Sequence, residues 1–244
     1  MYRTAIQLGV AIVAALASAL PAAAQWSQDP RGDSGAGQAG SAPAQAQAQP
    51  RQFAEDFDRD PVRGWEYSCQ YALLPAGNGR ALATRGGGHA MWVAAGHVSD
   101  FSMKFRYGYE QGTADVFFRN TNVPNGHEFY CLMIGPHQTV LARRAHLPGN
   151  KYPEKRLAAA PVAISPKAWH DVIIQAKGGQ IRVWIDGKGV LQAQDSSPLR
   201  SGLCGFGAIA NSGHVLYDQV MLVDEGPSAV QASAASAAPA SNWP

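Results

Sequence analysis

The stretch that most constrains how this chain can fold is residues 169–187, WHDVIIQAKGGQIRVWIDG. Two runs rich in β-formers flank Gly178-Gly179, and a two-glycine link supplies the positive φ values that a tight hairpin turn requires. Closing the hairpin there sets Ala176 opposite Ile181, Ile174 opposite Val183 and Val172 opposite Ile185, which makes one face continuously apolar. The other face pairs Gln175 with Arg182, Ile173 with Trp184 and Asp171 with Asp186. A slip of one residue would carry Val172, Ile174 and Ile181 into water, so the pattern fixes the register as well as the strands.

Both ends of the chain read differently from this centre. Residues 1–24 have the form of a secretory signal: Arg3, an apolar run to Leu20, Pro21, then Ala22-Ala23-Ala24 as a small-residue cleavage site before Gln25. A membrane anchor is the competing reading, but the run ends in a helix-breaking proline and no basic stop-transfer cluster follows. Export with cleavage after Ala24, into the periplasm or beyond, is the expectation, and no membrane span is expected in the mature chain. Residues 25–52 consist mainly of Gly, Ala, Gln, Ser and Pro, a composition that buries too little surface to offset the entropy of ordering. They are expected to form a disordered linker, and the Ala/Ser/Pro-rich residues 225–244 a disordered tail. One folded unit, residues 53–224, is left.

The 20 basic and 18 acidic residues are scattered, with none of the clustered basic stripe that nucleic acid demands. Cys69, Cys131 and Cys204 are an odd number for an oxidising compartment, so at most one internal disulfide forms, and Cys69 with Cys204 is the pairing considered. Cys131, inside FYCLMI, reads as a buried small hydrophobe.

Between the two ends the chain is a series of short strand patterns at 53–57, 65–72, 81–84, 89–93, 101–107, 113–119, 127–134, 138–145, 190–193, 203–208 and 214–223, besides the central hairpin. Phe101, Met103, Phe105 and Tyr107 alternate with Ser102, Lys104 and Arg106, the period-two signature of a strand wet on one side. A Pro-rich connection separates the halves, and within it residues 154–160 are expected to make one helical turn. Strands at this spacing, with turns between them and almost no helical periodicity, predict an all-β, two-sheet antiparallel sandwich, with a barrel as the main rival.

The order FAEDF, DFSMKFRY, TADVFFR, HEFYCLMI, the hairpin, and GLCGFGAIANSGHVLYDQVMLV resembles the concanavalin A-like jelly roll, and within it the laminin-G-like and 3-keto-disaccharide hydrolase-like domains of bacterial secreted proteins. The resemblance implies a pair of six- or seven-stranded sheets, one of them concave, with a sugar-binding or glycan-processing groove. Catalytic relatives of this fold that cleave β-glucans carry a Glu-x-Asp-x-x-Glu strand. No Glu here is followed two residues later by Asp, which excludes that chemistry.

The candidate groove residues are Arg119, Glu128, Tyr130, Gln175, Arg182 and Trp184. Asp115 and Arg119 would project from one face of one strand, and Arg119 closes the FFR motif. Its fork suits hydroxyls or a carboxylate, and a salt bridge to Asp115 or Glu128 is the plainer role. Asp115 and Glu128 are the candidate acid and base, since glycoside hydrolysis by two carboxylates needs them roughly 5 to 9.5 Å apart. Trp184 beside Gln175 and Arg182 has the make-up of a sugar platform, unless a loop covers it. No cofactor is expected. Calcium at the strand ends where Asp171 faces Asp186 is the alternative, because like charges there repel and relatives of this fold bind it at loop ends.

The reading that follows is an exported, non-catalytic module that binds a glycan on its concave face. A hydrolase of the 3-keto-disaccharide type and a structural or protein-binding envelope domain are the alternatives.

Overall fold

The computed structural model describes residues 49–59, 62–124, 126–149, 151–209 and 214–227. The expected signal segment and most of the expected linker and tail lie outside these residues. Among the described residues the strands in chain order are β1 (Arg51–Glu55), β2 (Trp65–Tyr67), β3 (Gln70–Ala76), β4 (Gly79–Arg85), β5 (His89–Trp92), β6 (Asp100–Tyr109), β7 (Thr113–Val123) and β8 (Gly126–Ile134). They continue as β9 (Gln138–His146), β10 (Glu154–Pro161), β11 (Trp169–Lys177), β12 (Gln180–Ile185), β13 (Lys188–Gln194), β14 (Leu203–Ile209) and β15 (Val215–Gly226). A single 3₁₀ turn, Val93–Ala95, follows β5.

These strands form two antiparallel sheets packed as a sandwich. The first runs β13-β12-β11-β6-β15-β4-β3, with β1 also on β15, and the second runs β10-β9-β8-β7-β14-β5-β2. One strand serves two neighbours on the same side because β15 is irregular. Its residues 215–217 pair with β4, Gln219 turns out at φ 51°, and residues 220–224 pair with β1.

The central hairpin forms as its pattern demands. β11 and β12 pair Ala176 with Ile181, Ile174 with Val183 and Val172 with Ile185, all buried, and Ile173 with Trp184 on the opposite face. Each of the buried Val and Ile side chains among them contributes roughly 1.5–3 kcal/mol by leaving water. Facing them across the core are residues of the second sheet such as Val116, Phe118, Tyr130 and Leu132. Aromatic rings bridge the layers, where Phe105 meets Phe206 at 5.2 Å and Phe206 stacks on Tyr217 at 4.4 Å, and within the second sheet Trp65 stacks on Trp92 at 5.2 Å.

Four local expectations are corrected. Residues 154–160 are strand β10 rather than a helical turn, because their backbone completes the edge of the second sheet against β9. The pattern at 65–72 is broken near Ser68-Cys69 into β2 and β3, which belong to different sheets. Arg51 and Gln52, linker by composition, are already paired with Asp224 and Val223. Cys69 and Cys204 are both free thiols: Cys204 points into the core from β14, while Cys69 lies just past β2, with β5 between the two strands.

Candidate functional site

The six residues expected to line one groove fall in separate places. Arg119 is fully buried. The register of β7 against β8 shifts between Phe118 and Thr121, and Arg119 takes φ 50°, which breaks the alternation and turns the side chain inward, away from the face that carries Asp115. There its Nε donates to the Ser99 carbonyl at 2.8 Å, Nη1 to those of Gly178 and Leu199 at 2.6 and 2.9 Å, and Nη2 to Asp100 at 3.1 Å. The guanidinium therefore clamps the hairpin turn and the 195–202 segment onto the second sheet.

Tyr130 and Glu128 belong to the same buried end. The Tyr130 hydroxyl donates to Asp195 Oδ2 at 2.8 Å and accepts from the Leu199 N–H at 3.1 Å. Arg143 donates to Glu128 at 2.7 Å and to Asp195 at 3.4 Å. Glu128 shares the inward face of β8 with Tyr130, whereas Asp115 stands on the outward face of β7, so the two candidate carboxylates lie on opposite faces of the second sheet.

Gln175, Arg182 and Trp184 do share a face, the outer side of the first sheet. The Trp184 indole is half-buried and lies over Gly189 of the neighbouring strand. At the strand end where Asp171 faces Asp186, the Asp186 carboxylate faces His170 Nδ1 at 2.8 Å and accepts the Asp171 N–H at 3.0 Å. Among the described residues no group of three or more His, Cys, Asp or Glu side chains is placed to hold a metal ion.

The chemistry gathers instead on the outer face of the second sheet, across four adjacent strands. Asp115 on β7 accepts a short hydrogen bond from the Cys131 thiol on β8. Arg144 on β9 reaches back over Cys131 Sγ at 3.7 Å and Met133 Sδ at 3.2 Å, and clasps Glu154 of β10 through Nε at 2.7 Å and Nη2 at 2.6 Å. Phe117 and Phe129 flank the cluster, packed edge to face at 5.4 Å, and the His89 ring meets Phe117 at 3.8 Å. Phe117 lies against Gly207 of β14, where a Cβ would come within 3.1 Å of the ring.

Burial controls the electrostatics here. It pushes the Asp115 carboxyl up to about 6, against the pull of the Cys131 hydrogen bond and the Arg144 charge. Burial, then the Asp115 charge, holds the Cys131 thiol well above its ordinary value. Burial pulls His89 down to about 4, with the charges of His127 and His146 adding to the effect. The result is one carboxyl pushed up to about 6, beside a guanidinium whose own charge is matched by Glu154.

A cavity of about 580 Å³ adjoins this cluster, lined by Thr113, Met133, Val140, Arg144, Glu154 and Ile209 among others. Ile209 is 46% exposed, an apolar surface left uncovered at the rim. A larger hollow of about 850 Å³ lies on the first sheet beside Ala54, Lys104 and Met221. Its described lining holds charged side chains of both signs, none of them fully buried, so size alone does not make it the chemical centre.

Arg144 and Glu154 were not singled out by sequence reasoning, and Cys131 was read as a buried hydrophobe with no polar partner. Writing HEFYCLMI against TADVFFR in register places Cys131 on the face of Asp115, and alternation along QTVLARRAH adds Arg144. Glu154 was hidden in the stretch read as helical.

The fold and this face define a jelly-roll sandwich of the concanavalin A-like class. A family profile described as 3-keto-alpha-glucoside-1,2-lyase-like domain matches residues 52–232, and the chain belongs to that family. Among solved structures it is similar to the carbohydrate-binding module CBM66 from Bacillus subtilis (15% identity over 64% of this chain and 93% of that one, TM-score 0.50). It is also similar to a Bacillus subtilis protein of unknown function with a galectin-like fold (12%, 73% and 97%, TM-score 0.54). A third likeness is to a glycoside hydrolase family 16 endo-glucanase from Bacteroides ovatus (11%, 70% and 99%, TM-score 0.51). At such identities the likeness carries the fold alone. Comparison with curated proteins gave no match. Among the described residues no helix is long and apolar enough to cross a membrane.

Proposed function

We propose that this chain is an exported carbohydrate-binding jelly roll whose ligand occupies the cavity on the outer face of the second sheet. The observation that carries the reading is the convergence of Asp115, Cys131, Arg144 and Glu154 beside a 580 Å³ cavity with an apolar wall. Sugar sites combine such a wall with a few fixed polar groups. Family membership and the carbohydrate-binding and glycan-acting neighbours support the ligand class. The signal pattern of residues 1–24 supports export, and a mature N-terminus other than Gln25 would count against the expected cleavage. Glycan-array binding that is lost on Arg144→Ala and kept on Trp184→Ala is the expected result. The reverse pattern would move the site to the first sheet, where Gln175, Arg182 and Trp184 stand together.

A second reading is favoured by one observation: Asp115 is a lone carboxyl with a raised pKa, since Glu154 is clasped by Arg144. Hydrolysis through paired carboxylates needs two free acids, but 1,2-elimination from a 3-keto-glucoside needs a single base. The ketone acidifies the C2 hydrogen, Asp115 takes that proton, the C1–C2 double bond forms, and the C1–O bond breaks as the aglycone oxygen takes up a proton from water or back from Asp115 and leaves as the alcohol. Turnover of a 3-keto-glycoside to an unsaturated sugar, abolished in Asp115→Asn, would establish this reading. Its absence under all metal conditions leaves the binding role.

A further inference from the structure

The cavity also carries information about the charge of its ligand. Resting on the carbohydrate reading above, we infer that the ligand is an acidic sugar whose ring carboxylate is taken by Arg156.

Arg156 stands on β10 opposite Ala142, which places it on the outward face in line with Cys131, and it lines the same cavity as Arg144. Its side chain is exposed, and among the described residues it makes no ion pair. The acid nearest to it along the strand, Glu154, is already engaged by two nitrogens of Arg144. The described lining therefore holds two guanidinium groups and one carboxylate, an excess of positive charge.

The surroundings of Arg156 suit a carboxylate carried on a ring. Ala142 opposite it offers no bulk, so the fork is not covered by a neighbour on β9. Met133, Pro136, Val140 and Ile209 form an apolar wall against which the C–H face of a pyranose packs. A planar fork that donates to two oxygens matches a carboxylate better than it matches single hydroxyls. A neutral sugar would leave that fork without a partner in the bound state.

The test titrates the purified full-length chain with glucuronosyl-β-1,4-glucose and, in parallel, with cellobiose, by calorimetry. The acidic disaccharide is expected to bind about tenfold or more tightly than cellobiose at low salt, the gain of a charge-assisted hydrogen-bond pair, with an advantage that shrinks as salt rises. Arg156→Gln is expected to remove the advantage, bringing the two sugars to equal affinity, while Arg156→Lys, a charge without the fork, keeps only part of it. Equal affinity for the two sugars, or an advantage that survives Arg156→Gln, overturns the assignment while leaving the carbohydrate reading in place. A 6-sulfated disaccharide that binds more tightly than the uronate overturns the choice of carboxylate. Failure to bind either sugar, with no signal on a glycan array, sinks the carbohydrate reading itself and this inference with it.

Discussion

Arg119 and Asp100 form an ion pair across the interior of the sandwich, with Nη2 3.1 Å from Oδ1, the arginine side chain at 0% exposure and the aspartate at 5%. The same Asp100 oxygen accepts the Gly178 N–H at 2.8 Å, so the pair fixes the turn of the central hairpin against both layers. Arg119→Met would leave Asp100 buried without its counter-charge, and a loss of ~3–5 kcal/mol is expected. Urea denaturation of the variant checks this, and the double variant with Asp100→Asn is expected to recover part of the loss. A change within 0.5 kcal/mol, about the scatter of surface substitutions, would show that the buried pair contributes nothing.

Asp115 makes stability depend on pH in an unusual direction. With its carboxyl pushed up to about 6 in the folded chain and near 3.9 when unfolded, the folded state keeps a proton that the unfolded state has lost between those values. Stability therefore falls as pH rises through that window and is level above it, by on the order of 3 kcal/mol. Asp115→Asn stays neutral throughout. Measured against the wild type from about pH 4 to about pH 7, it is expected to gain steadily, and a flat difference would mean that the carboxyl is not raised.

His89 acts with the opposite sign in almost the same range. Its folded pKa is lowered to about 4 from near 6.5, so the unfolded chain binds the extra proton between them. Stability rises with pH across that interval and levels off above it. His89→Gln is expected to lose this rise, seen as a difference curve that is the mirror image of the one for Asp115→Asn.

The Tyr130 hydroxyl joins Asp195 to the Leu199 N–H at the buried end of the core. Tyr130→Phe keeps the ring and leaves both partners short of a bond, at an expected cost of ~1–3 kcal/mol. Hydrogen exchange at Leu199 is expected to quicken more than exchange within β11 and β12, because the 195–202 segment loses its tie.

What could be read from the sequence divides along physical lines. The hairpin was legible to the residue, since a period of two bounded by Gly178-Gly179 admits one register. The sandwich was legible from strand spacing and composition. The bulge at Arg119 was not: alternation is extrapolated from neighbours, and one residue at positive φ reverses it without a glycine to announce it. The stretch EKRLAAA has high helix propensity, yet pairing with β9 overrides a preference that amounts to tenths of a kcal/mol per residue. Asp115 was singled out correctly as a residue to weigh, but its partners lay on strands whose mutual register no single pattern reveals.

The irregularity in β15 has a consequence for how the molecule comes into being. Because β1 pairs beside residues 220–224 of β15, the first described strand of the fold has no sheet partner until the last one is in place. Pairings so distant along the chain slow folding. Until then the backbone of the opening strand is paired with water alone, which leaves it open to capture by another chain while folding is under way.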